Sequence, residues 1–390
     1  MSAKMNLLFE ESQKRNRNII VFAFLTVVVS RLLFVAVYAV FTVQSGSEFS
    51  FFDDLNFWDA GWYKHIIQNG YSLEPFGDEG GDAANWAFFP LLPMIVGFFH
   101  KLTGLEIYLV ASILSTLFLA ALIVITFHYV METRESVGEA VGVSIVLSFG
   151  SYSLYFSMLY TESLYLLLLM LVLYFLQKEK YLAMGIAGAL LSGTRNTGVM
   201  VVFAVGVKVL ADYCMSARVQ KGVLDFIKVT FCNWKLVLGV CLIPLGLFAF
   251  MAYLGWKMGD PLAFLHVQVA WGGEIGNPLA VLWRGFRSSS WREIYLAVCG
   301  MTGILIAGYL VLQKRFHEAV LAMILLIIPL SVRLQSIPRY LIGSGVFVLG
   351  GADILRKLNS KILIGLVLTY LIVFEFVCLW YWFEQSTWMI

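Results

Sequence analysis

The chain has 390 residues, of which 60% are hydrophobic and 13% charged, with a formal net charge of +2. So little polar surface cannot coat a soluble globule, which makes lipid the solvent for most of the chain. A charge this small, scattered at the ends of apolar runs, also excludes a nucleic-acid partner. Backbone inside a bilayer core must hydrogen-bond to itself, as a helix or a closed barrel. Runs such as Ile19 to Phe41 and Ile362 to Phe383 are apolar nearly throughout, whereas barrel strands alternate. The expected fold is therefore an all-α, polytopic transmembrane helical bundle.

The first span is predicted over 18–43. Lys4, Lys14, Arg15 and Arg17 precede it, which places the N-terminus in the cytoplasm by the positive-inside rule. The run is longer than a signal-peptide core and lacks a small-residue cleavage site, so it reads as a retained anchor. Further spans are predicted over 105–130, 139–158, 160–177, 181–194, 197–211, 236–256, 294–313, 318–332, 340–355 and 361–383. Strict alternation puts five basic segments inside: Arg134, the Gln177 to Lys180 turn, the 212–235 segment with Arg218, Lys221, Lys228 and Lys235, the Lys314-Arg315 turn, and Arg356, Lys357 and Lys361. The short pair 181–194 and 197–211 either crosses twice or dips around a polar tip, with the same parity. Residues 86–102, with Pro90 and Pro93 near their start, read as re-entrant, because a crossing there would turn every later basic segment outward. The chain is thus one membrane domain over 1–390, with interfacial helices in outside loops at 44–104 and 257–293.

The first outside loop is strongly acidic. Its 44–85 stretch carries Glu48, Asp53, Asp54, Asp59, Glu74, Asp78, Glu79 and Asp82 against a single Lys64. Glu74 through Asp82 lie in a glycine-rich stretch and read as a solvated surface. Asp59 sits instead in Phe57-Trp58-Asp59-Ala60-Gly61-Trp62-Tyr63-Lys64, where aromatic residues recur at helical spacing and belong in the membrane interface. A partly desolvated carboxylate suits a general base that takes a proton from an attacking alcohol. Helix capping or a salt bridge is the plainer alternative.

Later polar groups fall at the outer ends of spans: Glu162 in Tyr160-Thr161-Glu162-Ser163, Arg195 after Ser192-Gly193-Thr194, and Arg333 and Arg339 in 333–340. Charges at such depth are costly and mark function or mutual ion pairs. Outward guanidiniums suit a phosphate through bidentate hydrogen bonds. In the second loop, Gly259-Asp260-Pro261 opens a surface helix that Asp260 is placed to cap. His266 and Gln268 on that helix are interfacial residues or sugar contacts.

The five cysteines, Cys214, Cys232, Cys241, Cys299 and Cys378, show no metal-like spacing and read as packing residues. No GxxxxGK[ST], HExxH, GxSxG or GxGxxG stands in the chain. Phosphate-loop, zincin, serine-hydrolase and dinucleotide chemistries thus lack local support.

Four features together resemble the PIG-V-type mannosyltransferases of the GT-C class, membrane glycosyltransferases that use polyprenyl-phosphate sugars. They are the Trp58-Asp59 loop with Trp62-Tyr63 and Gly70-Tyr71, the Ala87-Phe88-Phe89-Pro90-Leu91-Leu92-Pro93 helix, Tyr160-Thr161-Glu162-Ser163-Leu164, and Gly259-Asp260-Pro261 with Gln268 and Trp271. The last resembles prokaryotic members in particular. The resemblance implies a GT-C-like bundle in a prokaryotic plasma membrane. It also implies a sugar, mannose by family, moved from a polyprenyl-phosphate donor to a lipid, glycan or protein hydroxyl outside the cytoplasm, with inversion.

Asp59 holds the place of the family's essential first-loop aspartate, and Asp53 and Asp54 stay open as alternative acidic residues. On this reading Arg339, Arg333 and Arg195 receive the donor phosphate, and Trp58, Trp62, Tyr63, Glu162, Asp260, Gln268 and Trp271 line the substrate site. No cofactor and no metal are required, because arginine neutralises a departing monophosphate. The rivals are a transporter or lipid flippase, which should show an internal repeat, and a non-catalytic scaffold, which does not need Asp59.

Overall fold

Capping residues, glycines and prolines divide the apolar runs into nineteen α-helices among the described residues, with no strand. The computed structural model describes residues 2–76, 82–216, 222–271, 276–386 and 388, with side chains from residue 13 onward. The expectations for Asp78, Glu79, Arg218 and Lys221, and for the Lys4 side chain, lie outside the described residues.

In chain order the helices are α1 (Ser2–Ser45), α2 (Phe51–Leu55), α3 (Asp59–Asn69), α4 (Leu91–Thr103), α5 (Ile107–Arg134), α6 (Val137–Phe149), α7 (Glu162–Gln177), α8 (Tyr181–Ser192), α9 (Val201–Met215) and α10 (Val223–Cys232). There follow α11 (Trp234–Leu242), α12 (Leu245–Met258), α13 (Ala263–His266), α14 (Pro278–Phe286), α15 (Trp291–Leu312), α16 (Phe316–Leu330), α17 (Ile337–Gly343), α18 (Val346–Leu358) and α19 (Lys361–Phe383). Their starts are chemically marked. Glu106 accepts from the Tyr108 amide at 2.6 Å to cap α5, and Asn277 accepts from Leu279 at 2.9 Å just before Pro278 opens α14.

Six segments are long and apolar enough to cross a membrane: Gln13–Ser45, Ile107–Arg134, Asn196–Met215, Trp234–Met258, Trp291–Leu312 and Lys361–Phe383. Five shorter apolar helices pack among them, and the chain is a multi-pass membrane protein. Three expected spans are broken, and of these 236–256 divides into α11 and α12 at Pro244. The run 139–158 stops as a helix at Phe149, and a 3₁₀ turn over Ser153–Ser157 replaces its second half. The run 340–355 divides into α17 and α18 at Gly345, whose φ of +66° is open to glycine at little cost, and where an added Cβ would meet the Leu166 side chain. The short α8 crosses α11 closely because glycines meet: a Cβ on Gly185 would run into the backbone of Gly239.

Charged groups gather at two ends of the bundle. The 28 residues of α5 separate those ends by about 42 Å. At its last turn Arg134 pairs with Glu139 and Glu318 and donates to the Leu349 carbonyl at 2.9 Å. Arg315 joins Glu318 there, and Arg356 joins Glu139 at 3.1 Å and Asp353 at 2.7 Å. Three basic segments that the sequence puts on one side therefore meet in one ion network.

The other end of α5 adjoins the first loop, where Glu106 pairs with Lys64 of α3 at 3.7 Å. Helix α4 belongs to this end at both its termini. Its first amide, Leu91, donates to Gly193 at 3.2 Å, and its C-terminus closes on Gly104, two residues before Glu106.

Of the cysteines expected to pack, Cys378 is buried and Cys299 half-buried, but Cys214, Cys232 and Cys241 are exposed.

Candidate active site

Asp59 is the first residue of α3, presented by Trp58, which takes a left-handed backbone with φ of 56°. Two hydrogen bonds fix that turn: the Asp59 amide donates to the Tyr160 hydroxyl at 3.2 Å, and this hydroxyl donates to the Phe57 carbonyl at 3.0 Å. The carboxylate itself is not sequestered as its aromatic setting suggests. Its side chain is 36% exposed and accepts a hydrogen bond from Arg339 Nη1 at 3.1 Å.

Glu162, the first residue of α7, is fully buried, with 0% of its side chain exposed. A bare carboxylate at that depth is very costly, and two guanidiniums offset the cost. Arg339 on α17 donates to Glu162 through Nε, and Arg195, which follows α8, donates through Nη2. Arg195 also donates through Nε to Thr161. One carboxylate thus holds two arginines side by side, and the first of them reaches on to Asp59.

Aromatic rings complete the walls. The Arg339 guanidinium lies 4.9 Å from the Tyr155 ring centroid and 4.7 Å from that of Tyr160. Arg195 lies 5.5 Å from the Tyr165 ring and 5.9 Å from that of Tyr340. Such contacts hold a planar cation in place while leaving its edges for ligands. Tyr63 of α3 is buried beside this group, and burial pushes its phenol above the ordinary range, with the nearby Arg195 opposing.

The remaining sequence candidates fall into three groups. Trp62 and Trp271 meet edge to face at 5.6 Å, and Trp62 also stacks on Phe88 at 5.8 Å, so the 44–104 and 257–293 segments join in an aromatic cluster next to Asp59. Trp58 is exposed beside it. Asp260 and Gln268 bond within their own segment: Asp260 accepts from the Leu262 amide at 2.9 Å and pairs with His266 at 2.7 Å, and Gln268 donates to Phe264. The His266 bond holds the Asp260 carboxyl below its ordinary value.

Asp53 accepts from Ser50, and Asp54 from Tyr38 of α1 at 2.5 Å, so both tie the first loop together locally. Arg333 is exposed, outside the Glu162 cluster. Among the described residues no group of three or more His, Cys, Asp or Glu side chains is arranged to hold a metal ion.

Sequence reasoning missed Tyr155 as a site residue. It lay inside what read as one span, and the Gly150-Ser151 turn signal that marks the helix break before it went unused. Tyr160 stood in a quoted motif, but its hydroxyl bridge between Phe57 and Asp59 depends on a contact 101 residues away.

No protein-family model and no curated protein matches this sequence. Among solved structures the chain is similar to the Archaeoglobus fulgidus oligosaccharyltransferase, crystallised with zinc and sulfate. The identity is 13% and the TM-score 0.44, over 93% of this chain and 53% of that one. The chain spans about half the length of that neighbour, and a likeness at this level says nothing of the reaction. What the geometry offers at one end of the bundle is a partly exposed carboxylate bonded to one of two guanidiniums that a buried glutamate holds together.

Proposed function

We propose that the protein is a membrane glycosyltransferase of the GT-C type, which moves a hexose from a polyprenyl-phosphate donor to an acceptor hydroxyl with inversion. The observation that supports this most directly is the single Arg339 side chain donating to both Glu162 and Asp59. It sets a base and an anion-binding cation side by side, as a displacement that expels a phosphate needs.

In the proposed reaction Asp59 accepts the proton of the acceptor hydroxyl as its oxygen attacks the anomeric carbon. The bond from that carbon to the phosphate oxygen breaks on the opposite face, and its electron pair leaves with the lipid phosphate. Arg339 and Arg195 carry the added negative charge, while the aromatic cluster of Trp62, Phe88 and Trp271 offers a face for a sugar ring. The prenyl chain stays in the lipid among the helices. The end that bears Asp59 faces away from the cytoplasm on this reading, because the opposite end collects the basic turns. Mannose as the donor sugar, and a lipid, glycan or protein as acceptor, follow the PIG-V resemblance.

The test is transfer of labelled sugar from a polyprenyl-phosphate donor by the purified protein in lipid nanodiscs, with the product identified. Transfer lost in Asp59→Asn supports the reading. No turnover with any such donor, together with donor movement between leaflets of proteoliposomes, would replace it with the flippase alternative.

A further inference from the structure

An arginine and a glutamate deep in the bundle lie outside the site just described: Arg31 in the middle of α1, and Glu375, 1% exposed, on α19. Charged residues at such positions are rare and ask for a reason. Both face the gap where the 139–158 run stops being a helix. Helix α6 ends at Phe149, Tyr152 takes a left-handed backbone with φ of 68°, and a 3₁₀ turn runs over Ser153–Ser157. A break of this kind leaves carbonyls unpaired at the end of one helix and amides unpaired at the start of the next turn. In a membrane interior those groups must find partners within the protein.

The two charges supply the partners. Arg31 Nη1 donates to the Ser148 carbonyl at 3.2 Å, and Nη2 reaches the Ser153 carbonyl at 3.5 Å. Glu375 Oε1 accepts from the Leu154 amide at 2.6 Å and from the Ser153 hydroxyl at 3.0 Å. Acceptors and donors of the broken backbone are thus matched with a cation and an anion. The next residue is Tyr155, and the same stretch leads through Tyr160 and Thr161 to Glu162 at the start of α7. Those four residues flank Arg339, fix the Asp59 turn, and bind Arg195 and Arg339.

We infer that Arg31 and Glu375 are positioning residues: by satisfying the break in the α6 run they set the 150–161 segment that carries the walls and the anionic seat of the active site. Neither touches the reacting groups. The activity part of this inference rests on the glycosyl-transfer reading, and the conformational part does not.

The experiment compares Glu375→Gln, Glu375→Leu and Ser153→Ala, each full-length and monodisperse in nanodiscs. Hydrogen exchange over 150–161 is measured together with transfer from a polyprenyl-phosphate hexose per folded molecule. Glutamine keeps the Oε1 acceptor for the Leu154 amide and the Ser153 hydroxyl. It should therefore retain wild-type protection and transfer within about threefold. Leucine removes the acceptor, and should raise exchange across 150–161 and lower transfer at least tenfold, with a higher donor KM, while distant helices stay protected.

If leucine yields no folded protein, Ser153→Ala decides, with a smaller rise in exchange over the same residues and a drop in transfer. A folded leucine variant with unchanged exchange and transfer overturns the inference, and so does glutamine failing as badly as leucine, since the charge and not the acceptor would then matter. Where wild-type protein transfers no sugar at all, the function reading fails, and the exchange pattern alone still decides the positioning claim.

Discussion

Arg339 and Asp59, 280 residues apart in the chain, share a hydrogen bond of 3.1 Å at the outer rim of a buried ion cluster. The bond aims a carboxylate that stands among aromatic side chains. It also means that a donor phosphate binding Arg339 competes with Asp59 for the same guanidinium.

Replacing Asp59 by asparagine keeps the shape of the turn and removes the proton acceptor. Transfer should fall by about 10² to 10⁴, the usual contribution of a general base, while the melting temperature in detergent stays near that of wild type. Undiminished glycan output would remove Asp59 from the mechanism.

Glu162→Gln leaves two guanidiniums facing each other without their shared anion. Removing one partner of a buried pair costs roughly 3–5 kcal/mol, so this variant should melt well below wild type and lose transfer. Thermal melts at matched lipid content check this, and an unchanged melt would show that the arginines have another counter-charge.

A lysine at 339 cannot donate in two directions with a planar fork. Arg339→Lys should raise the donor KM at least tenfold, whereas Arg333→Ala, at an exposed position outside the cluster, should stay within twofold. Equal effects of the two changes in steady-state kinetics would contradict the assignment of the phosphate to Arg339 and Arg195.

The Asp260–His266 bond makes a pH prediction. Its folded-state carboxyl lies below the ordinary value of 3.8, so the bond adds stability that is present above that value and is lost as pH falls through the lower folded one. Hydrogen exchange over 260–266 should therefore rise on acidification below that range, and His266→Ala should remove the step.

Chelation should leave transfer intact, because the proposed neutralising charges are guanidiniums. Complete loss after EDTA, restored by a divalent ion, would move Asp53 and Asp54 into the reaction.

Much of the helical plan was legible because it rests on composition: long apolar runs, prolines and charged turns are local signals. The convergence of Arg134, Arg315 and Arg356 agrees with the side that alternation gave them. The breaks in the runs 139–158 and 340–355 were only partly legible. Gly150-Ser151 and Gly343-Ser344-Gly345 mark the two places, but what holds each break is distant: Arg31 and Glu375 bond the open backbone in one case, and Leu166 packs against Gly345 in the other. The same holds at the candidate site: Glu162 and Arg195 could be named from their depth, but their sharing of one oxygen with Arg339 is a product of three helices meeting.

The ion network at the far end of α5 has a mechanical consequence. Four helices are riveted there by Arg134, Glu139, Glu318, Asp353 and Arg356, while at the Asp59 end the Glu162 cluster ties α7 to α17, and α3 and the 257–271 segment join it through Arg339, Tyr160 and stacked rings. We expect the bundle to behave like a clothes-peg, stiff at its spring and free to gape at its jaws. Spin labels across the jaw should then report wider distance distributions than labels across the spring.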